Sequence, residues 1–314
     1  MLLSCGDALI DFLPIRTVDG REALLPMVGG SCLNIAIGMA RLGVPTGFVG
    51  GLSTDPFGRM IEDHARESGV DLRFAVRSAQ PTTLAFVRTV DGEARYAFYD
   101  EQTASKHWGH QQGSIPFADV DAVHVGSTTL VDRSGAAQAL ELVEEARHTT
   151  TVSFDPNCRP NLVQDKADYV ARMDQFARRS HIVRMSDADF AFLYGNSDFG
   201  AKAAALSSTE TPLFIITRGA GDVLAWHKRA GLVAVKAPST KVVDTIGAGD
   251  SFQAALLVAL RAMKLIARQS LEAMDASQLS RVLEFAVTCA AVTCSRAGAD
   301  PPWSFELPKE ASLA

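Results

Sequence analysis

Several features that mark other classes of protein are missing from this sequence. Lys and Arg form no long run, and the formal net charge of -6 with a pI near 5.7 favours neither nucleic acid nor an anionic membrane as a partner. No apolar stretch reaches the roughly 20 uncharged residues of a membrane helix. The apolar first segment, MLLSCGDALIDFLP, lacks a basic start and contains Asp7 and Asp11, which argues against a signal peptide. We therefore expect a cytoplasmic protein whose substrate is a small molecule.

Paired cysteines are also missing. The five cysteines are odd in number and scattered, without CxxC pairs and without histidines at metal-ligand spacing. This pattern favours reduced thiols over a disulfide framework or a zinc site. The cysteines are Cys5, Cys32, Cys158, Cys289 and Cys294.

The familiar nucleotide-binding motifs are missing as well. The sequence has no Gly-Lys dipeptide, so a P-loop of the form GxxxxGK[ST] is excluded. The tetrapeptide GAGD occurs twice, at 219–222 and 247–250, but neither copy completes GxGxxG or opens a first βαβ unit with an acidic residue at the required distance. A pyridine-nucleotide oxidoreductase is therefore a distant alternative.

What the sequence does contain, from about residue 121 onward, is an alternation of short apolar runs with amphipathic ones. In GAAQALELVEEARH the apolar residues Ala137, Leu140, Val143 and Ala146 share one helical stripe. Strand, helix and strand in alternation are typical of a parallel sheet with helices on its faces. We therefore predict an α/β fold.

Two segments break this alternation. Residues 12–30 and 81–103 alternate polar with apolar residues around Val-Asp-Gly turns, a pattern that predicts β-hairpins. We predict that they form a small β-sheet lid. The α/β core would then consist of residues 1–11, 31–80 and 104–314.

The two GAGD copies differ in their neighbours. The first lies between the strand-like runs LFIIT and VLAWH, which favours a tight turn. The second follows KVVDT and leads into SFQAALLVALRAM, so it would open a buried helix, where free backbone amides and the helix dipole form an anion site. Asp250 fits a helix cap and also a general base for a hydroxyl that attacks a phosphoryl group, and the pattern leaves both roles open.

With its neighbours, the second copy resembles a known signature. DTIGAGDSF at 244–252 and GGSCLNIAIGMARLG at 29–43 are similar to the C-terminal and N-terminal signatures of the ribokinase-like, or pfkB, family of carbohydrate kinases. Further similar segments occur in family order over nearly the whole chain: GDALIDFLP, FDPNCRP, MSDADFAFLYG, ITRGAGD and AAVTCSRAGADPP. The resemblance implies a Rossmann-like three-layer core with a mainly parallel sheet and a β-sheet lid. It also implies an Mg²⁺-dependent transfer of the γ-phosphoryl group of ATP to a sugar hydroxyl. Whether K⁺ is required is left open.

The resemblance implies roles for particular residues. Asp250 would be the base, and the amides of Gly247, Ala248 and Gly249 would form the anion hole. The implied sugar-binding residues are Asp11, Gly30, Asn34, Tyr99 and Arg159. The implied ATP-binding residues are Thr217, Gly219, Gly247, Gly249 and Ala290. Asp189 stands where the family usually has the Glu of a metal-linked motif, so we expect only an indirect contribution to metal binding.

Finer similarity within the family is strongest to bacterial fructokinases, which implies D-fructose as the substrate and fructose 6-phosphate as the product. Asp100 stands where 2-keto-3-deoxygluconate kinases typically have an Arg, and we expect it to repel an anionic sugar unless Arg159 outweighs it. A ketodeoxygluconate kinase, another sugar or nucleoside kinase, and a non-catalytic sugar-binding relative remain alternatives. The apolar lid residues fit packing on the sugar and equally well packing on a second lid, and the second arrangement predicts a homodimer through the lid: Ile15, Leu24, Leu84, Phe86, Tyr96 and Phe98.

Overall fold

The computed structural model describes residues 1–90, 93–206 and 211–309, with the backbone alone at 88–90 and 93–96. The strands are β1 (Leu2–Cys5), β2 (Leu9–Arg16), β3 (Glu22–Gly29), β4 (Thr46–Ser53), β5 (Val70–Asp71), β6 (Ala75–Ser78), β7 (Thr83–Val90), β8 (Glu93–Tyr99), β9 (Ala122–Gly126), β10 (Thr151–Asp155), β11 (Ile182–Ser186), β12 (Leu213–Thr217), β13 (Val223–His227) and β14 (Gly231–Val235). The α-helices are α1 (Ser31–Arg41), α2 (Pro56–Glu67), α3 (Arg133–Ala146), α4 (Lys166–Arg179), α5 (Asp187–Tyr194), α6 (Phe199–Leu206), α7 (Ala248–Ala262), α8 (Arg268–Glu272) and α9 (Ala276–Cys294).

Within these ranges, ten strands form the large sheet of the core. The strand order is β14-β13-β12-β11-β10-β9-β1-β4-β5, and β6 pairs with β4. Pairing is parallel from β12 to β5, whereas β13 and β14 add an antiparallel edge. Strands β4, β9 and β10 are buried along their whole length, as parallel strands covered on both faces should be. The predicted α/β fold is confirmed.

Helices cover both faces of this sheet and produce the three layers. One face packs side chains of α3, α4, α5 and α6 around Phe154 and Phe214. The other packs α1, α7, α8 and α9 around Ile215. Helix α3 confirms the helix predicted there, but its buried stripe is Ala136, Ala139, Leu142, Val143 and Ala146. Ala137 is exposed, so the helix is rotated relative to the stripe inferred from the sequence.

The lid is a separate sheet of four strands in the described chain, in the order β3-β2-β7-β8. Its strands fall within or beside the two segments predicted as hairpins. Strand β2 begins earlier than predicted, because Leu9 already pairs with Gly29 on one side and Thr83 on the other. The division of the chain into core and lid domains stays a prediction.

The carboxyl ends of the central parallel strands position the residues of interest. Asp155, Ser186 and Thr217 end β10, β11 and β12, and α7 starts above them. Ligands of open α/β sheets bind at this edge. The first GAGD copy is the turn between β12 and β13, with Gly219 at a positive φ of 53°, as predicted. Among the helices of the described ranges, none has both the length and the apolar character to cross a membrane.

Candidate active site

Asp250 lies in the first turn of α7, opposite the first turn of α1. Its Oδ1 accepts a hydrogen bond from Ser31 Oγ at 2.6 Å, and its Oδ2 accepts one from Asn34 Nδ2 at 2.9 Å. Helix α7 has Gly247 at its N-cap and no side-chain cap. The carboxylate therefore does not cap its helix but is held across the gap between two helices. The base role of Asp250 stays a prediction.

Burial raises the pKa of Asp250 above the ordinary value of an aspartate, and the hydrogen bonds from Ser31 and Asn34 oppose this shift. A carboxylate with a raised pKa is a better proton acceptor than one in bulk water. Asn34 was predicted to bind sugar, but the hydrogen bond from its side-chain amide positions Asp250. A simultaneous contact of Asn34 with sugar stays a prediction.

Asp11 stands at the start of the lid and within electrostatic reach of Asp250. Burial, followed by the nearby charge of Asp7, raises the pKa of Asp11 to about 6, while Arg159 lowers it and Asp250 adds to the rise. A Cβ atom at Gly29 would lie 2.2 Å from Asp11 Oδ2, so the glycine leaves room for the carboxylate in this position. The fold thus brings together two carboxylates that are far apart in the sequence.

Asp7 is a site residue that the sequence reasoning missed. It is buried and accepts hydrogen bonds from the Cys32 amide (2.9 Å), Ser127 Oγ (2.8 Å) and Thr128 Oγ1 (3.0 Å). It therefore ties the end of β1 to the start of α1 and the end of β9. An acidic residue directly after the first apolar strand was the available signal.

Gly30 is required by close packing. It has a φ of 103°, and a Cβ atom there would lie 2.7 Å from the Asp7 carbonyl oxygen and 2.8 Å from Ala8 Cα. This explains the glycine that precedes α1. Its predicted contact with sugar is untested.

The start of α7 has the properties of an anion hole. Gly247 adopts a left-handed conformation with φ of 74°, and a Cβ atom there would lie 2.7 Å from Ala299 Cα. The Ala248 amide donates to Thr245 O at 3.3 Å. Among the described residues, the amides of Gly247, Gly249 and Asp250 have no acceptor within the chain. These N–H groups are free to bind an anion, so the structure adds Asp250 to the predicted set.

Arg184, which the sequence reasoning also missed, lies beneath this anion hole. Its Nη1 donates to Asp155 Oδ2 and its Nη2 to Thr217 Oγ1, each at 2.5 Å. A Cβ atom at Gly249 would lie 3.0 Å from both of these nitrogens. An arginine inside the apolar run HIVRM was the available signal. Thr217 therefore lies beside the anion hole, and its contact with ATP stays a prediction.

Two further predicted ATP-binding residues lie on other elements. Gly219 is in the turn after β12, with open space where a Cβ atom would lie. Ala290 is half-buried in α9 and packs against the core face that contains α7. Their contacts with a nucleotide stay predictions.

Arg159 folds back onto its own loop. Its Nη1 donates to the carbonyl oxygens of Asn157 (2.9 Å) and Cys158 (3.0 Å) and to Asn157 Oδ1 (2.6 Å). Its charge nevertheless acts on Asp11, where it lowers the pKa. Arg159 is thus close to the predicted sugar site, and its contact with sugar stays a prediction.

Asp189 braces its loop. It forms a capping box with Ser186 at the start of α5, and its Oδ1 accepts a hydrogen bond from the Cys158 amide at 2.8 Å. Burial raises the pKa of this carboxyl group. No group of three or more metal-ligating side chains occurs in the described ranges. Because both oxygens of Asp189 are engaged, direct coordination does not fit, and the predicted indirect role remains.

Tyr99 does not lie on the same face of the lid as Asp11, and its predicted contact with sugar stays a prediction. Asp11 pairs with Ala85, and Ala85 pairs with Phe98, which places these three residues on one face of the lid. Tyr99 lies on the other face, 64% exposed and 5.3 Å from the Phe86 ring. Alternation of side chains along a strand makes Phe98 the residue on the Asp11 face.

Asp100 does not present a free charge either. The Lys106 Nζ lies 3.1 Å from Asp100 Oδ2 and 3.4 Å from Asp132 Oδ2. The expected repulsion of an anionic sugar by Asp100 is therefore weakened by Lys106.

A groove of about 650 Å³ opens beside these groups. Asp11, Met27 and Val87 of the lid line one wall, and the α2 helix lines another. The third wall is formed by Ile246, which precedes the anion hole, and the loop at 297–300. A groove of this size suits a small polar substrate.

Comparison with known proteins gives the family of the chain. Residues 21–305 match the model of the pfkB family of carbohydrate kinases. The chain belongs to this family. It is 34% identical over 279 residues to a fructokinase of Rhizobium leguminosarum bv. trifolii, an alignment that covers 89% of this kinase and 85% of that protein.

Solved structures agree with this assignment. The crystal structure of a fructokinase with bound ATP from Xylella fastidiosa has a TM-score of 0.87 to this kinase and 29% identity, covering 95% of this chain and 93% of that one. An aminoimidazole riboside kinase of Salmonella enterica, complexed with its riboside and an ATP analog, has a TM-score of 0.82 and 25% identity, covering 99% and 98%. The same fold therefore serves kinases with different acceptors.

Proposed function

We propose that this carbohydrate kinase transfers the γ-phosphoryl group of ATP to D-fructose and forms fructose 6-phosphate. The observation that carries the proposal is the Asp250 carboxylate, held by Ser31 and Asn34 beside free amides at the start of α7. A base and an anion site next to each other are what phosphoryl transfer to a hydroxyl requires. The similarity to fructokinases supports fructose as the acceptor.

In this mechanism, the oxygen of the sugar hydroxyl attacks the γ-phosphorus in line, and the bond from the γ-phosphorus to the bridging oxygen breaks so that ADP leaves. Asp250 takes the proton of that hydroxyl, and no phosphoenzyme forms. The amides of Gly247, Gly249 and Asp250 stabilise the negative charge on the transferred group. Asp11 and Arg159 would orient the sugar so that the attacking hydroxyl reaches Asp250. Closure of the lid would exclude water that competes for the phosphoryl group.

We propose Mg²⁺ as the metal, held mainly by the phosphates of the nucleotide and by water. Asp155 and Asp189 already accept hydrogen bonds from within the chain, so at most they contribute through water. When bound, Mg²⁺ neutralises charge on the donor phosphates.

A K⁺ requirement is tested by measuring the activity in matched potassium and sodium buffers.

The acceptor is tested by ADP release over a panel of D-fructose, D-glucose, D-ribose, 2-keto-3-deoxygluconate and a nucleoside. We expect the highest kcat/KM with fructose, and fructose 6-phosphate as the product identified by NMR. A higher kcat/KM for ketodeoxygluconate or the nucleoside would replace fructose in the proposal. Absence of ADP release with every acceptor of the panel would favour the non-catalytic sugar-binding alternative.

The pKa of Asp11 predicts a pH dependence of sugar use. Ionised Asp11 accepts hydrogen bonds from sugar hydroxyls, whereas protonation below pH 6 removes this capacity. The kcat/KM for the sugar should therefore fall about tenfold per pH unit below pH 6, in assays between pH 5 and 8. The Asp11→Asn variant should have a low kcat/KM for the sugar at every pH and should not show the fall below pH 6. An identical pH profile in that variant would assign the step to another group.

We further propose a cytoplasmic homodimer that associates through the lid. The five cysteines are free thiols, in keeping with a reducing compartment. Of the lid residues expected to form the interface, Leu84 and Phe86 pack within their own chain, and the side chain of Tyr96 lies outside the described residues. The lid still exposes apolar side chains: Ile15, Leu24, Leu25, Met27 and Tyr99. Size-exclusion chromatography at micromolar concentration that finds only monomer would exclude the dimer.

A further inference from the structure

Arg184 is a charged residue in the interior of the large sheet. It belongs to β11, between β10 and β12, and is only 7% exposed. A buried charge is costly unless it is paired and hydrogen-bonded. Here Asp155 supplies the opposite charge and Thr217 supplies a hydroxyl oxygen, each at 2.5 Å. The guanidinium group therefore occupies a fixed place at the carboxyl edge of three parallel strands.

That place is directly against the anion hole. A Cβ atom at Gly249 would lie 3.0 Å from Nη1 and from Nη2, so the guanidinium touches the first turn of α7 where a side chain would otherwise project. Its Cζ lies 5.6 Å from the centre of the Phe252 ring in the same helix. A cation at a helix N-terminus meets the positive end of the dipole, which is unfavourable without an anion nearby. The ion pair with Asp155 offsets this cost and holds the guanidinium against the first turn of α7, where the free amides converge.

The contact with Thr217 has a second consequence. Thr217 Oγ1 accepts the hydrogen bond from Arg184, so its own hydroxyl hydrogen is left to donate elsewhere. Arg184 Nε is also buried and has no acceptor among the described residues. Buried donors of this kind are normally satisfied, so a ligand or water is expected to complete the site.

We propose that Arg184 is a positioning residue for phosphoryl transfer. It backs the first turn of α7 and holds Thr217, so that the α7 amides and the Thr217 hydroxyl face the same phosphoryl group. Its charge strengthens their stabilisation of the transition state. This role rests on the proposed kinase function, and nothing in the match to the family model or to the relatives assigns it to Arg184.

The test compares kcat, both KM values and the affinity for a transition-state mimic, which is MgADP with aluminium fluoride and the best sugar of the panel. For Arg184→Met we expect kcat to fall about 100-fold, with KM for ATP and sugar within about threefold of wild type. The added affinity that fluoride gives over MgADP and sugar alone should be lost. Arg184→Lys should recover part of the kcat and part of the added affinity given by fluoride, since lysine keeps the positive charge but lacks the planar guanidinium group.

Two variants separate this role from general stability. Arg172→Met removes an arginine that pairs with Asp168 on α4, away from the site, and should leave kcat unchanged. Thr217→Val removes only the hydroxyl and should lower kcat with little change in melting temperature. If Arg184→Met does not fold, the kcat and the fluoride response of Arg184→Lys and Thr217→Val test the proposal.

The proposal is overturned if the foldable variants keep wild-type kcat and fluoride response, or if they change only the two KM values. A wild-type protein that is inactive with every acceptor would instead refute the proposed function. If the wild type is active and the Arg184 and Thr217 variants have its kcat and fluoride response, the inference about Arg184 is refuted and the proposed function stands.

Discussion

Asp250→Asn is expected to lower kcat by about 1,000-fold, within the range that loss of a general base produces. The amide has the shape of the carboxylate and still accepts one hydrogen bond from Ser31 or Asn34, but it cannot take the proton of the sugar hydroxyl. The KM values should change little, because the shape of the site is preserved. The measurement is ADP release at saturating sugar and ATP, with circular dichroism to establish the fold.

The chain contains its own matched control for this experiment. Asp222 ends the other GAGD copy, in the turn between β12 and β13, and lies 3.9 Å from Arg218 Nη2 at the surface. Asp222→Asn should leave kcat at the wild-type value. Near-normal turnover of a folded Asp250→Asn protein would show that another group accepts the proton.

Gly249→Ala is expected to lower kcat by 100-fold or more, about the cost of losing one donor of an oxyanion-type site. The new Cβ atom would lie 3.0 Å from both terminal nitrogens of Arg184, and that guanidinium is anchored to Asp155 and Thr217 and cannot withdraw freely. The first turn of α7 would have to shift, which misaligns its free amides. Steady-state kinetics and the melting temperature measure the two effects.

Gly221→Ala, at the same position of the other GAGD copy, is the matched control. A Cβ atom there would lie 3.1 Å from the Arg218 carbonyl oxygen, a similar crowding away from α7. We expect a small loss of stability and normal kcat. Equal losses of kcat in the two variants would refute the anion-hole assignment at Gly249.

The general architecture could be predicted because burial leaves a direct trace in the sequence. Parallel strands covered on both faces appear as continuous apolar runs such as AVHVG at 122–126, and α7 is apolar on most sides because it is buried. The rotation of α3 could not be predicted to the residue. Its many alanines fit more than one stripe, and packing against the sheet decides which is buried.

The site was only partly predictable, for a reason that Tyr99 illustrates. Neighbouring residues of a strand point to opposite faces, so the pairing of Ala85 with Phe98 excludes Tyr99 from the Asp11 face. A shift of one residue would reverse the assignment, and no pattern in the lid fixes that register. The charge of Asp100 could not be assigned from the sequence either, because its partner Lys106 lies in the loop that follows β8.

By itself, the sequence determined the α/β class, the kinase family and the kinds of group that do the chemistry: GAGD at a helix start, and an acidic residue beyond the first strand. Only the tertiary structure decided which of these groups meet. Ser31 and Asn34 hold Asp250, Asp7 ties α1 to β1, and Arg184 supports the anion hole from inside the sheet. The energy of a charge depends on partners within a few ångströms, and these partners come from segments whose approach is set by sheet order and helix packing.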